Sequence, residues 1–176
     1  MEEIQEPPQR EMKANISEDV LRARVEDLKL QQNLGLGIIG GAIGGLLGAV
    51  VWAAVTYLTE YQIGWLALGV GYLVGIGVRL LGKGIDKVFG IAGGVIALVS
   101  VVLGNFLTSL GYVAKAYEMG FVEVLQRFDY AMTFELMKIT FTVMDILFYA
   151  LAIYAGYKFS FRKITPEQLL DATSKK

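Results

Sequence analysis

The sequence predicts an all-α integral membrane protein, a four-helix bundle with both termini in the cytoplasm. Apolar residues come in four blocks, each close to the roughly 20 residues that a helix needs to cross a bilayer. Glycines recur every four residues within the first three of these blocks, a spacing that lets membrane helices approach closely. Basic residues are concentrated on one side of the blocks, as the positive-inside rule requires. The predicted spans cover about residues 35–58, 63–81, 88–110 and 139–157 of a membrane domain at 34–163.

The composition restricts the chemistry that is open to the chain. Of the 176 residues, 55% are hydrophobic, and the mean hydropathy is +0.51, well above that of soluble proteins. The chain contains neither histidine nor cysteine, which excludes imidazole acid–base catalysis, thiolate chemistry and Cys/His metal sites. The net charge of -1 provides no attraction to nucleic acid. We therefore expect no enzymatic activity, no cofactor, no metal ion and no nucleic-acid partner.

The segment before the first span is polar and charged. A pair of prolines predicts a disordered tail at residues 1–16. Ser17 is a suitable N-cap for an amphipathic cytoplasmic helix over residues 17–33, whose apolar stripe consists of Leu21, Val25 and Leu28. This helix would lie on the bilayer or on its own domain; the alternative is a short coiled coil between protomers.

Glycine rows predict the helix-packing faces. The first span carries two adjacent rows, and the second and third spans carry one pair each: Gly37, Gly41 and Gly45; Gly40, Gly44 and Gly48; Gly71 and Gly75; Gly90 and Gly94. Small residues at this spacing form a flat face on which a neighbouring helix can pack. That helix could belong to the same chain or to a second copy.

The turn between the second and third spans is basic, with Arg79, Lys83 and Lys87. A cytoplasmic location explains these charges, and the same residues are candidates for contact with anionic lipid headgroups. Residues 77–83 also fit most of a phosphate-binding loop, but Gly84 occupies the position of the magnesium-binding Ser or Thr. Residues 35–40 fit a dinucleotide-binding fingerprint without the βαβ context that it requires.

The connection at 115–138 mixes charged residues with apolar ones at helical spacing, namely Phe121, Leu125, Phe128 and Met132. It predicts an interfacial amphipathic helix between the third and fourth spans. Residues 164–176 are predicted to form a cytoplasmic tail. Thirteen of the sixteen Lys and Arg residues fall in the two terminal segments and the 79–87 turn, which predicts that both termini are cytoplasmic.

Asp145 is the only acid well inside a predicted span. Asn105 is predicted to lie at the same depth on the antiparallel third span, about six residues from its outer end. Intramembrane acids are costly and usually face a protein interior, a cavity or a partner. We expect an interhelical hydrogen bond that fixes the register of the two spans, with a protonated Asp145 donating to the amide oxygen of Asn105 and accepting from its amide nitrogen. The alternative is a site that handles protons or cations.

Several motifs are spread over the predicted membrane domain: Gln62-Ile63-Gly64-Trp65, Gly69-Val70-Gly71-Tyr72, Arg79 with Gly82-Lys83-Gly84-Ile85-Asp86-Lys87, Phe89-Gly90-Ile91, and Met144-Asp145 through Phe148-Tyr149 to Gly156-Tyr157-Lys158 with Phe159-Ser160-Phe161-Arg162. Together they resemble a family of bacterial four-span integral membrane proteins with no assigned activity. The resemblance covers roughly residues 35–163. It implies a bacterial inner membrane location and transfers no functional residue.

The expected function is that of a small membrane scaffold or accessory subunit that packs through its glycine faces. The alternative is an oligomeric channel or transporter that uses Asp145 and Asn105. The expected partners are the lipid bilayer and either further copies of the chain or another membrane protein.

Overall fold

The computed structural model describes residues 18–163, which form two compact units. One unit contains helix α1, Glu18–Leu30, and the other extends over Gln32–Arg162. A helix therefore occupies most of the segment for which the sequence predicts one, and its Val25 is exposed. The tails predicted at 1–16 and 164–176 lie outside the described residues.

The second unit is built from helices. They are α2 at Leu34–Thr59, α3 at Gly64–Gly82, α4 at Lys87–Ala116, α5 at Phe121–Arg127, a 3-10 turn at Tyr130–Met132, α6 at Thr133–Thr140 and α7 at Val143–Phe159. Residues 18–163 contain no strand. The side chain of Asn33 caps α2 by accepting a hydrogen bond from the N–H of Leu36 at 2.9 Å.

Three of these helices, α2, α3 and α4, are long and apolar enough to cross a membrane, which is the mark of a membrane protein. A fourth crossing is added if α7 is combined with the segment Tyr130–Thr140 before it. Many large apolar side chains on the outer faces of these helices are exposed, among them Ile43, Leu46 and Val50 of α2 and Ile91, Val95 and Val99 of α4. Surfaces of this kind are stable where lipid surrounds them.

The prediction of one continuous fourth helix over residues 139–157 is wrong. Helix α6 ends at Thr140 and α7 begins at Val143, and the two helical segments meet at an angle of 104°. The physical reason is a local helix start: Thr142 is the N-cap of α7, and Asp145 completes a capping box with it. The single amphipathic helix expected at 115–138 is likewise divided between the end of α4, α5, the 3-10 turn and α6.

Helices α3 and α4 contact each other, and α2 and α7 each pack against both of them. The buried core includes Trp52 of α2, Val74 and Val78 of α3, Val101 of α4 and Ala152 of α7. A smaller apolar cluster of Leu110, Ala114 and Val124 joins α5 to the end of α4. In this arrangement, α2, α4 and α7 each contribute at least one polar side chain to the same interior region.

Candidate functional site

Asp145 lies in the first turn of α7 and is 1% exposed. Its Oδ2 accepts hydrogen bonds from the backbone N–H of Thr142 at 2.7 Å and from the Thr142 hydroxyl at 2.9 Å. Its Oδ1 accepts from Nδ2 of Asn105 at 2.9 Å and, at the longer distance of 3.4 Å, from Nε2 of Gln62. Four donors therefore converge on one buried carboxyl group.

Asn105 connects this carboxyl group to the rest of the interior. It is 9% exposed, and its Oδ1 accepts a hydrogen bond from Nε1 of Trp52 at 2.8 Å. Its Nδ2 donates to Asp145 and also lies 3.2 Å from the hydroxyl oxygen of Tyr149. The network thus joins α2 through Trp52, α4 through Asn105, and α7 through Asp145 and Tyr149.

The structure brings the predicted pair together, with one of the two expected hydrogen bonds between them. The amide oxygen of Asn105 is already occupied by the indole N–H of Trp52, so it is not the partner of the carboxyl group. In each hydrogen bond described for Asp145, a carboxyl oxygen is the acceptor. The expected hydrogen bond from the Asn105 amide nitrogen to Asp145 is confirmed, whereas the expected donation from Asp145 to the Asn105 amide oxygen is wrong.

Sequence reasoning missed most of this network. Trp52 could have been recognised from the sequence as a hydrogen-bond donor in the interior. An indole N–H in the middle of an apolar span needs an acceptor when it is buried. Thr142 followed by an acid three residues later is a recognisable capping box. Gln62 lies in the turn between α2 and α3, 83 residues from Asp145, and nothing in its local sequence indicates this contact.

The predicted glycine rows are contact faces within the chain. In α2, a Cβ added to Gly40 would overlap the carbonyl oxygen of Gly77, and one added to Gly44 would overlap the carbonyl of Leu73, both in α3. The row of Gly37, Gly41 and Gly45 faces residues of α3 and α4 instead, including Gly82, Val78 and Ser100. Both faces of α2 are therefore filled by its own chain.

The later glycines serve the contacts of α7. A Cβ on Gly71 would overlap the carbonyl oxygen of Ala152, and one on Gly75 would lie 2.7 Å from Cβ of Phe159. Gly90 faces Tyr157 and Phe161. Gly94 is more loosely packed, because a Cβ added to it would lie 3.3 Å from Cγ2 of Ile153. Gly77, Gly93 and Gly156 belong to none of the predicted glycine rows, although Gly93 and Gly156 approach each other as closely as these pairs.

The basic turn between α3 and α4 is anchored at its backbone. Oε1 of Gln32 accepts from the N–H groups of Ile85 at 2.7 Å and Asp86 at 3.0 Å, while Nε2 of Gln32 donates to the Asp86 carboxylate at 2.8 Å. Lys83 adopts a left-handed conformation at the end of α3, with φ of 50°. The three predicted headgroup residues all belong to this turn or its flanks: Lys83 and Lys87 are exposed, and Arg79 is half-buried.

An apolar cavity of about 600 Å³ lies between α2 and α4. Its apolar walls are formed by Val50, Ala53, Ala54, Tyr57, Leu107, Gly111, Ala114, Met119 and Phe121. Lys115 and Glu118 also line it, and Nζ of Lys115 lies 2.8 Å from Oε1 of Glu60. The hydrogen bond and the positive charge of Lys115 hold the pKa of the exposed Glu60 carboxyl below its ordinary value.

Comparisons with known proteins provide no family or function for this chain. No family model, curated protein or solved structure matches it. The resemblance to bacterial four-span membrane proteins therefore stays a prediction. In residues 18–163, no three or more His, Cys, Asp or Glu side chains are grouped where they could hold a metal ion.

Proposed function

We propose that this chain is a non-enzymatic four-span protein of a bacterial inner membrane, with both termini in the cytoplasm, that acts as a scaffold or accessory subunit. The spans in this proposal are α2, α3, α4 and α7, with the 3-10 turn and α6 lying along the interface before the last crossing. The angle of 104° between that segment and α7 supports this arrangement, because a helix perpendicular to a span lies parallel to the membrane.

The observation that carries the proposal is the set of hydrogen bonds that occupies the side chains of Asp145 and Asn105. A transport site needs polar groups that can exchange their partners with an ion or with water. Here both oxygens of Asp145 accept from protein donors, and the amide of Asn105 is engaged at both ends. A buried network of this kind fixes helix positions at the expense of mobility, which suits a structural component.

A double-mutant cycle tests this role. Asn105→Leu and Asp145→Leu each leave a buried polar partner unsatisfied, so each should destabilise the detergent-solubilised protein by about 1–3 kcal/mol. Because the two groups contact each other, the double variant should differ from the sum of the single effects by about 0.5–3 kcal/mol. Additive effects would contradict the structural pairing.

The variant Asp145→Asn separates the scaffold proposal from the channel or transporter alternative. Protein reconstituted in sealed vesicles should produce no proton or cation flux that depends on Asp145. A flux that Asp145→Asn abolishes, while the helical content remains unchanged, would overturn the scaffold proposal and support transport.

A further inference from the structure

The cavity between α2 and α4 has the size and lining of a ligand site. Its volume of about 600 Å³ falls within the range of about 300–1,000 Å³ that small-molecule sites occupy. The hollow exists because small residues, Ala53 and Ala54 on α2 and Gly111 and Ala114 on α4, stand where larger side chains would fill it. The polar network around Asp145 does not contribute to its lining.

The cavity is accessible from the outer face of the helices. Val50 in its wall is 52% exposed, and Ala54 is exposed as well. Both belong to α2, one of the helices long and apolar enough to span a membrane. In a bilayer this opening faces acyl chains, which are the most concentrated apolar ligand available to it.

Charges of both signs surround one end of the cavity. Lys115 and Glu118 line it there, and Glu60 pairs with Lys115. All three side chains are exposed, so a charged headgroup could reach them without leaving water. The ammonium of Lys115 suits a phosphate, while the carboxylate of Glu118 suits a group with N–H donors, because charge-assisted hydrogen bonds are the stronger ones.

We propose that this cavity binds one acyl chain of a zwitterionic phospholipid whose headgroup carries a primary amine. The chain lies against Ala54 and Gly111, the phosphate contacts Lys115, and the amine contacts Glu118. The inference rests on the proposed membrane placement, in which this end of α4 belongs to the outer leaflet. A partner helix fits less well, because the charged side chains of Lys115 and Glu118 line the cavity beside its apolar walls and match the two charges of a zwitterionic headgroup.

Native mass spectrometry of the full chain tests the proposal. The protein is released from bilayer discs that contain equal amounts of phosphatidylethanolamine, phosphatidylglycerol and phosphatidylcholine. We expect one retained phosphatidylethanolamine per chain. Ala54→Phe fills the cavity from its exposed wall and should abolish retention. The matched control is Ala150→Phe, the same change at an exposed position of α7 away from the cavity, and it should retain the lipid.

Glu118→Gln provides a second test that does not depend on filling the cavity. It keeps the side-chain size but removes the carboxylate, so the preference for phosphatidylethanolamine over phosphatidylcholine should be lost. Equal retention of all three lipids by the unmodified chain, unchanged retention in Ala54→Phe, or a second protein chain in place of the lipid would each overturn the inference. A chain that has the four-span topology but retains no lipid overturns this inference alone, whereas a chain that lacks this topology overturns the proposed function as well.

Discussion

Asp145 performs two structural tasks with one carboxyl group. Within its own helix it accepts from the N–H of Thr142, which satisfies a donor that the helix start leaves free. Across the interior it accepts from Asn105 of α4. The N-terminal end of a helix also favours negative charge, because the peptide dipoles point their positive ends there. The start of α7 and its contact with α4 therefore depend on the same side chain.

Replacement of Asp145 by Asn should destabilise the protein by about 1–3 kcal/mol, because the new amide nitrogen must face either the N–H of Thr142 or the amide nitrogen of Asn105. Denaturant unfolding in detergent measures the loss. Asp129→Asn is the matched control: Asp129 is exposed, and an Asn oxygen can keep its contact with the N–H of Ala131. Equal stability of the Asp145 and Asp129 variants would show that the buried carboxylate is not required.

At the level of the helices, the glycine rows explain how α2 can lie against two neighbours at once. Gly40 and Gly44 allow the backbone of α3 to approach, and Gly45 on the other row leaves room for Ser100 of α4. Because these faces are filled within one chain, they offer no free surface for a second copy. An oligomer, which the sequence leaves open, would have to use other faces of the described helices.

Gly44→Ile should lower the free energy of unfolding by about 1–3 kcal/mol, because the added side chain must displace the backbone of α3 at Leu73. Gly69→Ile is the matched control, since a Cβ at Gly69 meets nothing within 4 Å. Thermal unfolding and light scattering in detergent measure stability and particle mass together. If Gly44→Ile leaves stability unchanged but dissociates an oligomer, the rows function between chains and the packing described above is contradicted.

The break before α7 also has a consequence for the membrane. With 17 residues, α7 is about 25 Å long, somewhat less than the roughly 30 Å of a bilayer core. Irregular backbone at such a depth is tolerated only where protein groups satisfy it. In the proposed four-span arrangement, Thr142 and Asp145 would provide that satisfaction and so permit a short final crossing.

For the molecule as a whole, the topology is the central prediction. Reporter fusions after residue 33, within residues 115–138 and after residue 163 should read cytoplasm, outside and cytoplasm, because the basic residues are concentrated in the segments assigned to the inside. Each position is assayed with both a cytoplasmic reporter and an exported one, so that an inactive fusion is not mistaken for a location. A fusion after residue 163 that reports the outside would contradict the four-span arrangement.

The sequence by itself determined the helical class, the three long apolar helices, the glycine contact positions and the two polar residues that meet in the interior. These features depend on composition and on spacing along one helix, which local sequence records directly. Only the tertiary structure decided that Gly40 faces Gly77, that Trp52 occupies the amide of Asn105, and that the fourth apolar block is broken at Thr142. It also decided the cavity between α2 and α4, whose walls are 50 residues or more apart in the chain. Contacts of this kind depend on how helices are placed against each other, and that placement follows from the packing of all their faces together.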